Sequence, residues 1–221
     1  AVMIDGTMVS KKAKAEREAA LEQMRTGEKK YLDFASYIVE VGGAEGINIF
    51  ELAYENKLYP YQYGVSKAYE MTSCFEGLLQ YYCITGIEKY KTAIVNFADK
   101  ILETDFTVIG CCGCTHELFD HTKTRQTQFY EGIMQETCVT VTWMKFCSRV
   151  LELTGDSKYA DSMEKSFYNA YLGSFNTERN ICSFPRTRAA DVVDAPLPVD
   201  SYSPLLSGVR GVIVGGFQVM S

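Results

Sequence analysis

Apolar residues recur at steps of three and four along most of this chain, and part of the pattern is written twice. Tyr31, Phe34, Ile38 and Val41 form one such set, and Met71, Phe75, Leu78 and Tyr82 a second. Tyr90, Ile94, Phe97 and Ile101 follow, then Val139, Trp143, Phe146, Val150 and Leu153, and finally Ala160, Met163, Phe167 and Ala170. Each set marks one face of a 3.6-residue helix. The stretch Ile84-Thr-Gly-Ile-Glu-Lys-Tyr90 returns as Leu153-Thr-Gly-Asp-Ser-Lys-Tyr159, an offset of 69 residues, and both copies lie between two helical patterns. Glycine suits the left-handed position that ends a helix, so each Thr-Gly reads as the turn of a helical hairpin. Hairpins of this kind cannot bury their apolar faces alone and must stack side by side. They close into an α/α toroid or remain an open solenoid; the repeat does not choose. No convincing alternating strand appears before about residue 180, and the expected fold is all-α.

With 221 residues, 47% of them apolar, the chain can bury a substantial core, and one domain is the first expectation. Lys plus Arg number 22 against 28 Asp plus Glu, a net charge of -6, which argues against a nucleic-acid partner. No apolar run approaches the roughly 18–20 residues of a membrane span. Residues 11–30 are helix-prone but largely solvated, with Leu21 and Met24 as apolar anchors, so 1–30 reads as a solvated helical segment preceding a domain over 31–221. The N-terminus shows no basic region followed by an apolar run. A cytoplasmic location is therefore expected, or a periplasmic or secreted one if a signal peptide precedes these residues. The eight cysteines are irregularly spaced and read mostly as reduced thiols.

Two long stretches interrupt the array, 104–133 and 173–221, and such interruptions are often functional. Three constellations carry candidate chemistry. Glu136-Thr-Cys138 comes first. On a formed helix the two side chains would point about 200° apart and could not share a ligand, whereas extended backbone would put them on one face. A helix starting near Thr137, a good N-cap, would put Cys138 in its first turn, where the dipole favours a thiolate. This is either half of a zinc site or a capping glutamate beside a buried thiol. His116-Glu117 comes second, with Asp120 and His121 close behind and Leu118 and Phe119 between. A glutamate in that apolar context could serve as a general acid; the alternative is an ordinary polar loop. Cys111-Cys112-Gly-Cys114 comes third, as a metal cluster or as a packed, reduced loop.

Five segments together resemble a known family: Lys67-Ala-Tyr-Glu-Met-Thr-Ser-Cys-Phe-Glu-Gly-Leu-Leu79, Cys114-Thr-His-Glu-Leu-Phe-Asp120, Gln135-Glu-Thr-Cys138, Leu153-Thr-Gly-Asp-Ser-Lys-Tyr-Ala-Asp161 and Asp200-Ser-Tyr-Ser-Pro-Leu205. They are similar to the bacterial β-L-arabinofuranosidase-like glycoside hydrolases (family 127 and relatives), from about residue 31 onward. The resemblance implies part of an (α/α)6 barrel and retaining hydrolysis of a β-L-arabinofuranosyl-type or related sugar. It implies a zinc-bound cysteine nucleophile and a glutamate acid/base. Carried over, Glu136 and Cys138 are zinc ligands and Glu117 is the acid/base, although the segment joining Glu117 to Glu136 is longer than in the family pattern. The implied partner is a carbohydrate substrate, with neither nucleic acid nor membrane, and the resemblance allows a homodimer of the full-length protein.

Two departures matter. Ser73 stands where the family pattern has a sugar-binding histidine, so a different sugar is a reasonable expectation. The family's Cys-Cys-x-Cys, which supplies the nucleophile, should follow Arg210-Gly-Val-Ile-Val-Gly-Gly-Phe217. Cys111–Cys114 has that spelling but precedes Glu136, the wrong order for the nucleophile. The expectation is therefore a barrel truncated at the C-terminus, with the nucleophile beyond residue 221 and little activity in the chain alone. The rival classes are a non-catalytic helical repeat module that binds carbohydrate or protein, and another α/α-toroid enzyme such as a lyase or unsaturated-uronyl hydrolase that works with carboxylates alone.

Overall fold

A computed structural model of the chain describes residues 18–19, 22, 25–113, 117–126, 136–176 and 181–182. Leu21, Met24, Cys114, His116 and the motifs after residue 182 lie outside them. Among the described residues seven helices follow one another: α1 Lys29–Val41, α2 Ile49–Glu55, α3 Ala68–Thr85, α4 Glu88–Thr104, α5 Thr122–Arg125, α6 Thr137–Thr154 and α7 Ser157–Lys165. The last continues into a π-helical stretch, Ser166–Tyr171. Glu18, Ala19, Glu22, Arg25 and Thr26 are also helical. Ala19 is buried, so the N-terminal segment is not wholly solvated.

Both Thr-Gly turns work as their spelling requires. Gly86 (φ 66°, ψ 18°) ends α3 and Gly155 (φ 70°, ψ 9°) ends α6, each left-handed. Their N–H groups donate to Tyr82 O at 2.8 Å and Leu151 O at 2.7 Å. In the second turn Asp156 caps α7, accepting from the Lys158 N–H at 3.0 Å. The two hairpins, α3/α4 and α6/α7, then stack with α3 against α6. Lys145 of α6 pairs with Glu76 of α3 at 3.2 Å, and these residues are 69 apart, the offset of the sequence echo. The repeat in sequence is thus a repeat in space.

The core is aromatic and centres on α4. Phe97 stacks on Phe75 of α3, ring centroids 3.7 Å apart, and meets Phe146 of α6 and Phe119 edge-on at 5.8 and 6.1 Å. All four rings are buried. Trp143 adds the polar tie that a buried indole needs, donating from Nε1 to Ser162 Oγ at 2.8 Å. The sets on α3, α4 and α6 face the core as the periodicity requires, with only Tyr82, Tyr90 and Leu153 at their ends partly buried, but two other sets are corrected. On α1 the buried residues are Ala35, Ile38 and Val39, while Phe34 and Val41 are exposed. Along α7 and the π-helical stretch the buried line runs through Tyr159, Ser162, Ser166 and Ala170, with Trp143 anchoring Ser162, while Ala160, Met163 and Phe167 of the expected set are half-buried. Two antiparallel ladders of two residues a strand, Gly43–Ala44 with Ile47–Asn48 and Phe175–Asn176 with Ile181–Cys182, are too short to show alternation in sequence.

Phe97 is the point on which two hairpins and a loop converge, so its truncation should be among the costliest in the molecule. Phe97→Ala is expected to lower the unfolding free energy by about 3–5 kcal/mol. Urea unfolding monitored by circular dichroism checks this, with a conservative Phe97→Leu losing clearly less.

Candidate active site

Glu136 occupies the N-cap position of α6 with extended backbone (φ -74°, ψ 133°), one residue earlier than the Thr137 cap expected from sequence. That difference removes the 200° objection, because Glu136 stands outside the helix and folds back over its first turn. The Cys138 thiol donates to Glu136 Oε2 at 3.0 Å. A thiolate is not what results. Burial pushes the Cys138 thiol well above its ordinary value, and the Glu136 carboxylate adds to this; the Val139 N–H at the helix N-terminus opposes them and loses. Burial likewise raises the Glu136 carboxyl, with Glu117 adding to the rise and the Cys138 hydrogen bond working against it.

Glu117 reaches the same place from a different part of the chain. Its carbonyl accepts from the Ala68 N–H at 2.8 Å and the Phe119 N–H donates to Ser66 O at 2.7 Å, a short antiparallel clamp between its loop and the entry to α3. Glu117 itself is left-handed (φ 62°), a conformation unusual for glutamate that the clamp holds in place. The Phe119 ring sits in the core beside Phe97, so the loop is fastened from below as well. Asp105, fully buried, completes the fastening: its Oδ1 accepts from the N–H groups of Asp120 and Thr122, both at 3.0 Å, and its Oδ2 from Thr104 Oγ1 at 2.7 Å. One ligand atom from each of Glu117, Glu136 and Cys138 lies within 4.8 Å of the others, and all three side chains are half-buried. The Lys67 ammonium pairs with Glu117 Oε1.

The other sequence candidates serve the scaffold. His121, left-handed at the start of α5, stacks flat on Tyr61 with centroids 5.1 Å apart, and its Nε2 faces Thr124 Oγ1 at 3.1 Å. Asp120 accepts from Thr122 Oγ1 at 2.8 Å and pairs with Arg125 at 3.5 Å. Cys111 and Cys112 are buried thiols, with burial pushing Cys111 up to about 11, and neither joins the Glu136 cluster. Lys67 stands at the N-cap of α3 and Glu70 lies in its first turn, and this three-residue spacing at a helix start is the sequence signal that marks them as one group. Asp105 carries no such signal, since its partners are backbone groups 15 and 17 residues away.

Residues 8–186 match the family model described as "Beta-L-arabinofuranosidase, GH127 catalytic domain". The chain belongs to this family. It is similar to the "Non-reducing end beta-L-arabinofuranosidase" of Bifidobacterium longum subsp. longum, at 24% identity over 191 residues, 74% of this chain and 28% of that protein. The chain thus spans little more than a quarter of the length of that curated relative. Among solved structures it resembles a GH127 β-arabinofuranosidase (TM-score 0.58, 24% identity, 77% of this chain and 27% of the other). It also resembles a protein titled "Glycoside hydrolase" (TM-score 0.59, 20% identity, 88% and 36%). The fold is accordingly all-α and part of an (α/α)6 barrel, which decides between the toroid and the solenoid. Among the described residues no helix is long and apolar enough to cross a membrane.

The raised Glu136 carboxyl fixes the sign of a pH effect in this GH127 domain. A carboxyl whose pKa is higher in the folded state imposes a penalty on folding that is full above the folded pKa and absent below the unfolded value, about 4.3 for glutamate. Without metal, Glu136→Gln should therefore be more stable than wild type at neutral pH, and the gap should close as pH falls to about 4. Thermal unfolding in the presence of chelator, across that pH range, measures the gap.

Proposed function

We propose that this GH127 domain carries the acid/base and part of the zinc cage of a retaining glycoside hydrolase acting on a β-L-arabinofuranosyl-type or related sugar. The observation that carries the reading is the meeting of Glu117, Glu136 and Cys138 within 4.8 Å, from two elements far apart in sequence. The donor set fits zinc: a thiol and carboxylates are its ordinary ligands. The charge fits as well, since among the described residues three carboxyls of this region (Glu70, Glu117 and Glu136) face one ammonium, Lys67. Glu136 and Cys138 are assigned as ligands. Zinc held there would keep a coordinating cysteine deprotonated at neutral pH and make it a less basic leaving group.

Retention requires a nucleophile on one face of the sugar and an acid at the leaving oxygen. Glu117 takes the second part, donating its proton to the leaving group and then accepting one from water. The clamp to Ser66 and Ala68, with Phe119 buried beneath, holds the backbone that carries it in one place through both steps. None of the buried thiols Cys74, Cys111, Cys112 and Cys147 is accessible enough to be the nucleophile, and the exposed Cys83, near the end of α3 beside Arg149 and Glu152, does not join the Glu117, Glu136 and Cys138 group. That role is assigned outside these residues, to a Cys-Cys-x-Cys of the whole enzyme, and the isolated chain is expected to turn over little substrate. Ser73, small where a histidine is the family pattern, is taken to shift the sugar preference away from β-L-arabinofuranose.

Metal analysis of the purified chain tests the reading. About one zinc per chain is expected, lost in Cys138→Ala, and a metal-free chain unaffected by that substitution would refute it. In the whole enzyme Glu117→Gln should lower kcat by about 10²–10⁴ with zinc retained, measured on an aryl glycoside.

A further inference from the structure

One carboxylate in this region has no part in the steps above. Glu70 lies in the first turn of α3, three residues after Lys67, and is only 7% exposed. Its Oε2 has no hydrogen-bond partner among the described residues. The carboxyl is near enough to Lys67, Glu117 and Glu136 for their charges to act on it, and its own backbone N–H is the hydrogen-bond donor that favours its charged form. Burial is nonetheless the strongest influence and drives its pKa up.

A buried carboxylate with an idle oxygen, beside two more carboxylates, destabilises the fold that holds it. Such groups persist where binding or catalysis uses them. The surroundings say what would satisfy it. Ser73, one turn further along the same face of α3, is half-buried, and its hydroxyl is turned back to Tyr69 O at 2.9 Å. Solvent therefore reaches Lys67 and Ser73 on either side of Glu70, whose carboxyl lies buried between them. With zinc assigned to Glu136 and Cys138, what Glu70 itself still lacks is a hydrogen-bond donor to its Oε2. A neutral polyol brings donors without changing the charge, and a hydroxyl donating to a carboxylate makes a strong, charge-assisted hydrogen bond.

We propose that Glu70 is a substrate-binding residue of this same site, its idle Oε2 accepting a hydrogen bond from a hydroxyl of the bound sugar. The proposal rests on the glycoside hydrolase reading and adds a specificity-determining contact to it. A site built to accept from a hydroxyl discriminates sharply against the sugar that lacks it.

The test uses the full chain loaded with zinc, in wild type, Glu70→Gln and Glu70→Met. Titration calorimetry follows L-arabinose, a panel of other pentoses and hexoses, and monodeoxy derivatives of whichever sugar wild type binds best. Glu70→Met should raise Tm by a few degrees, because an apolar group replaces an unsatisfied one, and should leave the zinc content unchanged. It should weaken sugar binding by about 10- to 100-fold. Glu70→Gln, which keeps the shape and shows that the position tolerates change, should fall between. The deoxy sugar lacking the contacted hydroxyl should bind wild type weakly and lose nothing further in Glu70→Met. Undiminished sugar affinity in Glu70→Met, or a lowered Tm there, would overturn the proposal. So would a wild-type chain that holds zinc but takes up no sugar of the panel, leaving the hydrolase reading intact. Absence of zinc from wild type would instead overturn that reading and the subsite with it.

Discussion

The ring of Phe97 joins the parts of this molecule that matter. It stacks on Phe75, and through it α3 and α4 become one unit; it meets Phe146, which brings in α6; and it meets Phe119, which brings in the loop of Glu117. The distance between Glu117 and the Glu136–Cys138 pair is therefore set in the hydrophobic core. Close-packed interiors transmit small displacements, so a carboxyl fastened to such a core is held more firmly than one on a free loop. Asp105 works to the same end with polar means, turning two backbone N–H groups of the loop inward onto one buried carboxylate.

Above this base the electrostatics are unbalanced, and the imbalance is informative. Burial raises Glu70, Glu136 and Cys138 alike, so each holds its proton more tightly than it would in water. The start of α6 does not relieve Cys138, because one backbone N–H is outweighed by desolvation and by a carboxylate in contact. A site that gathers acidic groups and leaves them uncomfortable is arranged for something that supplies positive charge or hydrogen-bond donors. A dication at Glu136 and Cys138, and a sugar hydroxyl at Glu70, are the two forms of relief that the donor atoms themselves suggest.

Much of this was legible from the residues alone, and the failures have physical causes. The hairpins were readable because α3, α4 and α6 are amphipathic over many turns and because Thr-Gly leaves the chain little choice but to end a helix. Glu136 and Cys138 could be named, but not their geometry: whether they share a face depends on which residue is the N-cap, and a one-residue change in that boundary reverses the answer. The expected thiolate failed for a related reason, since burial cannot be read from a local motif and here it outweighs the dipole. The stripe on α1 misled because apolar spacing shows what a helix could bury, not what it meets. Asp105 and Glu70 are significant only through contacts between distant segments. Family resemblance supplied the roles; the structure supplied their meeting point.

The central claim is that Glu136 and Cys138 bind one metal together, and X-ray absorption at the zinc edge tests it directly. The account predicts a sulfur neighbour at about 2.3 Å and oxygen neighbours at about 2.0–2.2 Å. The sulfur shell should disappear in Cys138→Ser, and the oxygen shell should be depleted in Glu136→Gln. A spectrum with no sulfur neighbour in wild type, or one that neither substitution changes, would contradict it.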